Sequence, residues 1–167
     1  MIRESELNKI VTLSMLLSLS IVLQIVEGLI PIPFLIPGIK LGLANIIVII
    51  ILYKYGYKYA ITIGLLRVIV ASMLRNGFGI NFIFSIAGVL MSITIMNIFI
   101  KKSKLSMIGV SMAGSNFHII AQLIMASLIY KSNIFYITHL PIMLIISLIT
   151  GFIIGELSNK LYEEAKL

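Results

Sequence analysis

Residues 45–53 read Asn-Ile-Ile-Val-Ile-Ile-Ile-Leu-Tyr (NIIVIIILY), and this stretch decides which solvent the chain is built for. A half-buried strand alternates apolar and polar side chains. A transmembrane β-barrel strand alternates in the same way between lipid and lumen. NIIVIIILY alternates nothing. Around it, apolar blocks of about 20 residues recur, the length at which a helix crosses a hydrocarbon core. The 167-residue chain is 60% hydrophobic and 11% charged, with a mean hydropathy of +1.14. Soluble domains carry roughly 25% charged residues, so the polar side chains here are too few to cover a water-facing surface. The reading is an all-α integral membrane protein, one domain over residues 1–167.

Six spans can be drawn, over residues 10–30, 39–53, 57–74, 80–100, 107–130 and 135–157. The second is at the low edge of what crosses a bilayer. The apolar run from Ile10 to Val26 is not followed by a small-residue cleavage site, so it reads as a mature helix rather than a signal. Six spans put both termini on one side. Arg3, Lys9, Lys54, Lys58, Lys101, Lys102, Lys104, Lys160 and Lys166 fall on that side, and only Lys40, Arg75 and Lys131 on the other. The positive-inside rule then places both termini in the cytoplasm. The formal charge of +7 is therefore a statement about orientation rather than about nucleic acid. Tyr53, Tyr55, Tyr57 and Tyr59 belong to the inner interface, and Tyr130 and Tyr136 to the outer one.

Just before NIIVIIILY the chain reads EGLIPIPFLIPGIKLGLAN, from Glu27 to Asn45. Pro31, Pro33 and Pro37 stop helix formation there, because proline lacks an N–H. Non-helical backbone at membrane depth survives only when buried in protein or lining a wet cavity. Residues 31–38 thus read either as a cap over an outward cavity or as an ordinary hairpin. Lys40, Gly42 and Asn45 are expected in the first turns of the second helix, whose N-terminus attracts anions.

Polar residues inside a membrane are costly, so their positions carry information. Gln24, Glu27, Asn45, Arg67, Asn81, Asn116, His118, Gln122 and His139 fall in the outer half or near mid-depth. Thr12, Ser14, Asn97, Ser111 and Glu156 occupy the inner half. The imbalance points to a polar pocket open to the outside. Arg67, about ten residues into its span, is too deep to reach water easily and needs a partner. Two readings stand: a structural pair with Glu27, or a seat for an anionic group of a ligand. His118 and Gln122, spaced i, i+4, share one helix face and serve equally as interhelical hydrogen bonders or ligand contacts. The segment from Asn76 to Asn81, with two glycines, reads as a gate or as a plain turn. Small residues spaced i, i+4 mark helix contacts: Ala60/Gly64, Gly109/Ala113, Gly151/Gly155 and, on the first helix, Ser14/Ser18. The last pair is a candidate contact with another subunit.

The chain has no cysteine, which excludes thiol chemistry, and no aspartate. It lacks the G-x-x-x-x-G-K-[ST] pattern of an ATP-hydrolysing P-loop. Magnesium-diphosphate chemistry holds its metal through carboxylates, and only Glu27 could serve on the outer side. No catalytic residue, metal site or cofactor is expected. The length is also short for a transporter built of two inverted repeats.

The blocks E27-G-L-I-P31-I-P33, P37-G-I-K-L-G-L-A-N45, L66-R67-V68, S85-I-A-G88 with S92, and G114-x-x-x-H118-x-x-x-Q122 resemble, in order and over nearly the whole chain, the Gx transporter family, also labelled heptaprenyl diphosphate synthase component I. The family's span 5 pattern, His-Asn-x-Gly-Gln, has Ile119 and Ala121 here at the Asn and Gly places. The resemblance implies a six-helix bundle of the kind that forms substrate-binding (S) components of energy-coupling-factor (ECF) transporters. In such proteins a loop between helices 1 and 2 covers an outward pocket. They dock on a transmembrane coupling protein and two ATPase subunits through small residues of helix 1, a role that Ser14 and Ser18 would fill.

The expected function is capture of a small vitamin-like or isoprenoid solute at the plasma membrane, with Glu27, Lys40, Asn45, Arg67, Asn81, His118 and Gln122 binding the substrate. Two alternatives remain: a membrane subunit of a prenyl-diphosphate or quinone pathway enzyme, and a stand-alone carrier.

Overall fold

The computed structural model describes residues 4–27, 29, 42–75, 77–131 and 134–164, with side chains from residue 140 onward in the last segment. The described residues form six helices and no strand: α1 (Glu4–Glu27), α2 (Leu43–Tyr55), α3 (Tyr57–Arg75), α4 (Ile80–Lys102), α5 (Met107–Tyr130) and α6 (Ile134–Glu164). All except α2 are long and apolar enough to cross a membrane. Large apolar side chains stand exposed around the outside, among them Val22, Leu128, Ile145, Ile149 and Phe152. Such a surface is stable in lipid and not in water, and the architecture is that of a multi-pass helical membrane protein.

The helix α2 is the hub of the bundle. It packs on α1, α3, α4 and α6, and every residue from Ile46 to Leu52 is buried. A helix that is hydrophobic all round belongs inside a larger assembly, so the unbroken apolar run of NIIVIIILY is matched by a position with protein on every side. Only Gly56 separates α2 from α3.

The pair α5–α6 is the most extensive helix contact, and its closeness has a specific cause. A Cβ on Gly151 would come within 2.7 Å of the Met112 Cα, and one on Gly155 within 2.7 Å of the Ile108 Cα. The neighbours are backbone, so only glycine permits this approach. Of the other small-residue pairs, Ala60 and Gly64 are buried, with Gly64 against Ile93 and Val89 of α4. Gly109 meets only Leu105, just before its own helix. Ser14 and Ser18 lie on the exposed face of α1, with the Ser18 hydroxyl donating to the Ser14 carbonyl at 3.0 Å.

The boundaries differ from expectation at two places. First, α1 starts at Glu4, well before residue 10, because Glu4 and Glu6 in the first turn suit the positive end of a helix dipole. Second, α2 starts at Leu43 rather than residue 39. Gly42, its N-cap, has φ 82°, a left-handed conformation that favours glycine and stops the helix from extending backwards. Gly42 therefore precedes the first turn, and Asn45 closes that turn by donating its N–H to the Gly42 carbonyl at 2.7 Å. Past the last span, α6 runs on to Glu164 through a polar segment in which Ser158 is fully buried, its hydroxyl donating to the Ile154 carbonyl. Pro141 lies inside α6, about two turns from its start. The proline cap at 31–38, Lys40 and Asn76 lie outside the described residues, as does the His139 side chain.

Candidate functional site

The C-terminal end of α1, the N-terminal ends of α2 and α4, and the middle of α3 and α5 enclose, with α6, a cavity of about 70 Å³. That is room for several ordered waters or for the polar head of a small solute. It lies toward the end of the bundle that carries the α1–α2, α3–α4 and α5–α6 connections.

One wall is ionic. Arg67 on α3 is only 4% exposed and Glu27 at the end of α1 likewise 4%. The Arg67 Nη2 donates to the Asn45 Oδ1 at 3.1 Å, which ties α3 to the first turn of α2. Its Nε and Nη1 are buried and have no hydrogen-bond partner among the described residues. Those two nitrogens carry three of the five guanidinium N–H groups. A buried donor left unmade costs about 1–3 kcal/mol, and more when charged, so this arrangement calls for an acceptor.

The acceptor is not Glu27. Among the described residues no ion pair joins the two side chains, although the Glu27 charge acts on Arg67 through space. The Glu27 carboxylate instead accepts the Gly42 N–H at 2.5 Å. Position explains this. Glu27 closes α1, and Gly42 opens α2, where unpaired N–H groups and the positive end of the helix dipole favour an anion. The anion that the N-terminus of α2 attracts is the protein's own carboxylate. Gln24, one turn before Glu27, also lines the cavity, with its buried Oε1 unpartnered among the described residues.

The opposite wall is polar without being ionic. From α5 it takes Ser115, His118 and Gln122, and from α6 Ser147 and Thr150. His118 is half-buried and fits against Gly88 of α4: a Cβ there would lie 2.6 Å from the ring Cε1 and Nε2. The absence of a side chain at Gly88 is what lets the imidazole lie back against α4. The Ser147 hydroxyl lies within hydrogen-bond reach of both the Asn116 Oδ1 and the Leu144 carbonyl, so Asn116 ties α5 to α6. Val68, Val89, Ile119, Met143 and Ile146 supply apolar lining.

Of the residues singled out in the sequence, Glu27, Asn45, Arg67, His118 and Gln122 line this one cavity. Asn81 does not. It is exposed, on the second residue of α4, and its carbonyl receives the Ser85 hydroxyl. Lys40 lies outside the described residues. Sequence reasoning cited Ser85 only as part of a family-like block and passed over Ser115, Ser147 and Thr150. Their signal was weak, since hydroxyls inside apolar helices commonly satisfy themselves on the preceding turn, as Thr150 does on the Ser147 carbonyl at 3.2 Å. Among the described residues no three His, Cys, Asp or Glu side chains gather to hold a metal ion.

A family model described as heptaprenyl diphosphate synthase component I matches residues 16–161. No curated protein and no solved structure matches the chain.

Proposed function

Since the chain belongs to the heptaprenyl diphosphate synthase component I family, we propose, from the cavity this member encloses, that it is the substrate-capture subunit of an ECF-type transporter. The observation that carries the reading is Arg67: a buried guanidinium on a cavity wall, with Nε and Nη1 unfilled, at one end of an apolar bundle. A purely structural arginine would be expected to have its donors met by protein.

In this reading the chain crosses the plasma membrane six times, α2 included, with both termini in the cytoplasm, as the lysine distribution suggests. The pocket then faces outward and holds its ligand through Arg67, Asn45, His118 and Gln122. The chain carries no chemistry of its own. Its energy comes from a transmembrane coupling protein and two ATPase subunits, which meet the exposed Ser14/Ser18 face of α1. Purification in mild detergent followed by mass spectrometry of bound small molecules tests the capture step. A stoichiometric compound, lost in Arg67→Ala, is the expected result. A wild-type protein that retains none, even when expressed with its partner ATPases, would count against it.

The family's description favours a second reading, in which the chain is the membrane component of a prenyl-diphosphate-forming enzyme whose catalytic component is another protein. Dependence of a soluble synthase's turnover on added membrane subunit would establish that reading. Turnover independent of it would remove it.

A further inference from the structure

Resting on the capture reading above, we infer that the site is built for a small, singly charged organic anion, a carboxylate with a neutral hydrogen-bonding body, and not for a diphosphate. Among the described lining residues there is one permanent cation, Arg67, and one acid, Glu27. Both are buried, so neither charge is diluted by bulk water. Glu27 is committed to the frame through the Gly42 N–H, and its charge already offsets part of that of Arg67. Among the described residues, what remains for a ligand is at most one unit of positive charge, with N–H donors ready to form charge-assisted hydrogen bonds. A carboxylate matches that in charge and in number of acceptor oxygens. The further negative charges of a diphosphate would be buried without counter-charge and beside a carboxylate, an arrangement that desolvation penalises heavily.

The other wall describes the rest of the ligand. The side chains of Ser115, Gln122 and Thr150 are neutral and can donate and accept. Val89, Ile119 and Met143 in the lining ask for an apolar part as well. The ligand part seated here is thus of mixed character: an anionic group for Arg67, with neutral hydrogen-bonding and apolar surface beside it.

The test uses benzoate and benzamide, two probes of nearly equal shape that differ in charge, together with inorganic diphosphate. Binding to the purified full chain in detergent is read by calorimetry. Benzoate should bind about ten- to a hundredfold more tightly than benzamide or diphosphate, the range of one or two charge-assisted hydrogen bonds. Arg67→Gln should erase the preference, and Arg67→Lys should keep part of it. Circular dichroism and size-exclusion profiles identical to wild type would show that the variants fold. Tighter binding of diphosphate, equal binding of the two aromatic probes, or binding of none of the three overturns the inference. Benzoate preference in a chain that never co-purifies with an ATPase module would keep the ligand class and remove the transporter reading. Diphosphate preference with ATPase co-purification would do the reverse.

Discussion

At the end of the bundle that carries the α2–α3 and α4–α5 turns, charge stays at the surface. Lys9 lies 3.9 Å from the Tyr59 ring centre, Lys54 5.4 Å from that of Tyr55, and Lys160 pairs with Glu156 at 3.5 Å on an exposed helix face. At the other end Arg67 and Glu27 are buried, and part of the guanidinium is unmet. Both ends contain cations and helix termini, so chemistry alone does not separate them. Depth does. A lysine that reaches the interface keeps its hydration and contributes little beyond orientation and anchoring. An arginine held below the interface loses its hydration and needs something to replace the water.

The sharpest way to break this contrast is Arg67→Ala. It should weaken ligand binding at least about tenfold and also lower thermal stability in detergent, because the Asn45 Oδ1 loses its donor and the buried Glu27 carboxylate loses a counter-charge. A large fall in Tm with unchanged binding would make Arg67 a structural residue, no different in kind from the lysines at the far end. Next in size is Gly88→Ala. The new methyl group displaces the His118 ring, an overpacking change of about 1–3 kcal/mol. The imidazole should move toward the cavity, so affinity for a bulky ligand falls more than affinity for a small one, which a ligand-size series by calorimetry reads directly. Glu27→Gln should cost about 1 kcal/mol of stability, because the amide oxygen still accepts the Gly42 N–H but the anion at the N-terminus of α2 is gone. Anion binding should strengthen in the same variant as the offset to Arg67 disappears. The smallest effect belongs to the other end. Lys9→Ala loses an exposed cation–π contact of about 0.5–1 kcal/mol and leaves ligand binding unchanged. A binding defect there would mean that the two ends are coupled.

Much of the architecture could be read from the chain because the bilayer imposes one rule on every segment. An apolar run of sufficient length is a helix, and α5 occupies the expected residues 107–130 end to end. The convergence of Glu27, Asn45, Arg67, His118 and Gln122 was legible for the related reason that deep polar residues are few and seek one another. Helix rotation was not legible. In lipid both faces of a helix are apolar, so the sequence of α4 does not announce that Asn81 faces outward. Nor could the partner of Glu27 be read. Opposite charge suggested Arg67, but the carboxylate accepts a backbone N–H at the start of α2, a donor equally suited to it. The extent of α2 was missed because the left-handed turn at Gly42 is a property of one residue inside a long apolar context.

The buried position of α2 has a consequence for how the chain is made. At 13 residues it is about 20 Å long, short of a hydrocarbon core of about 30 Å. On the six-span reading it cannot hold a place in the bilayer by partitioning alone, and one residue, Gly56, links it to α3. The prediction is that α2 and α3 leave the translocation machinery as a paired hairpin. A nascent chain cut after Tyr55 would then fail to fix its topology in a reporter fusion, and one cut after Arg75 would succeed. The segment with the most uniformly greasy sequence in the protein is, on this view, the one least able to enter a membrane unaccompanied.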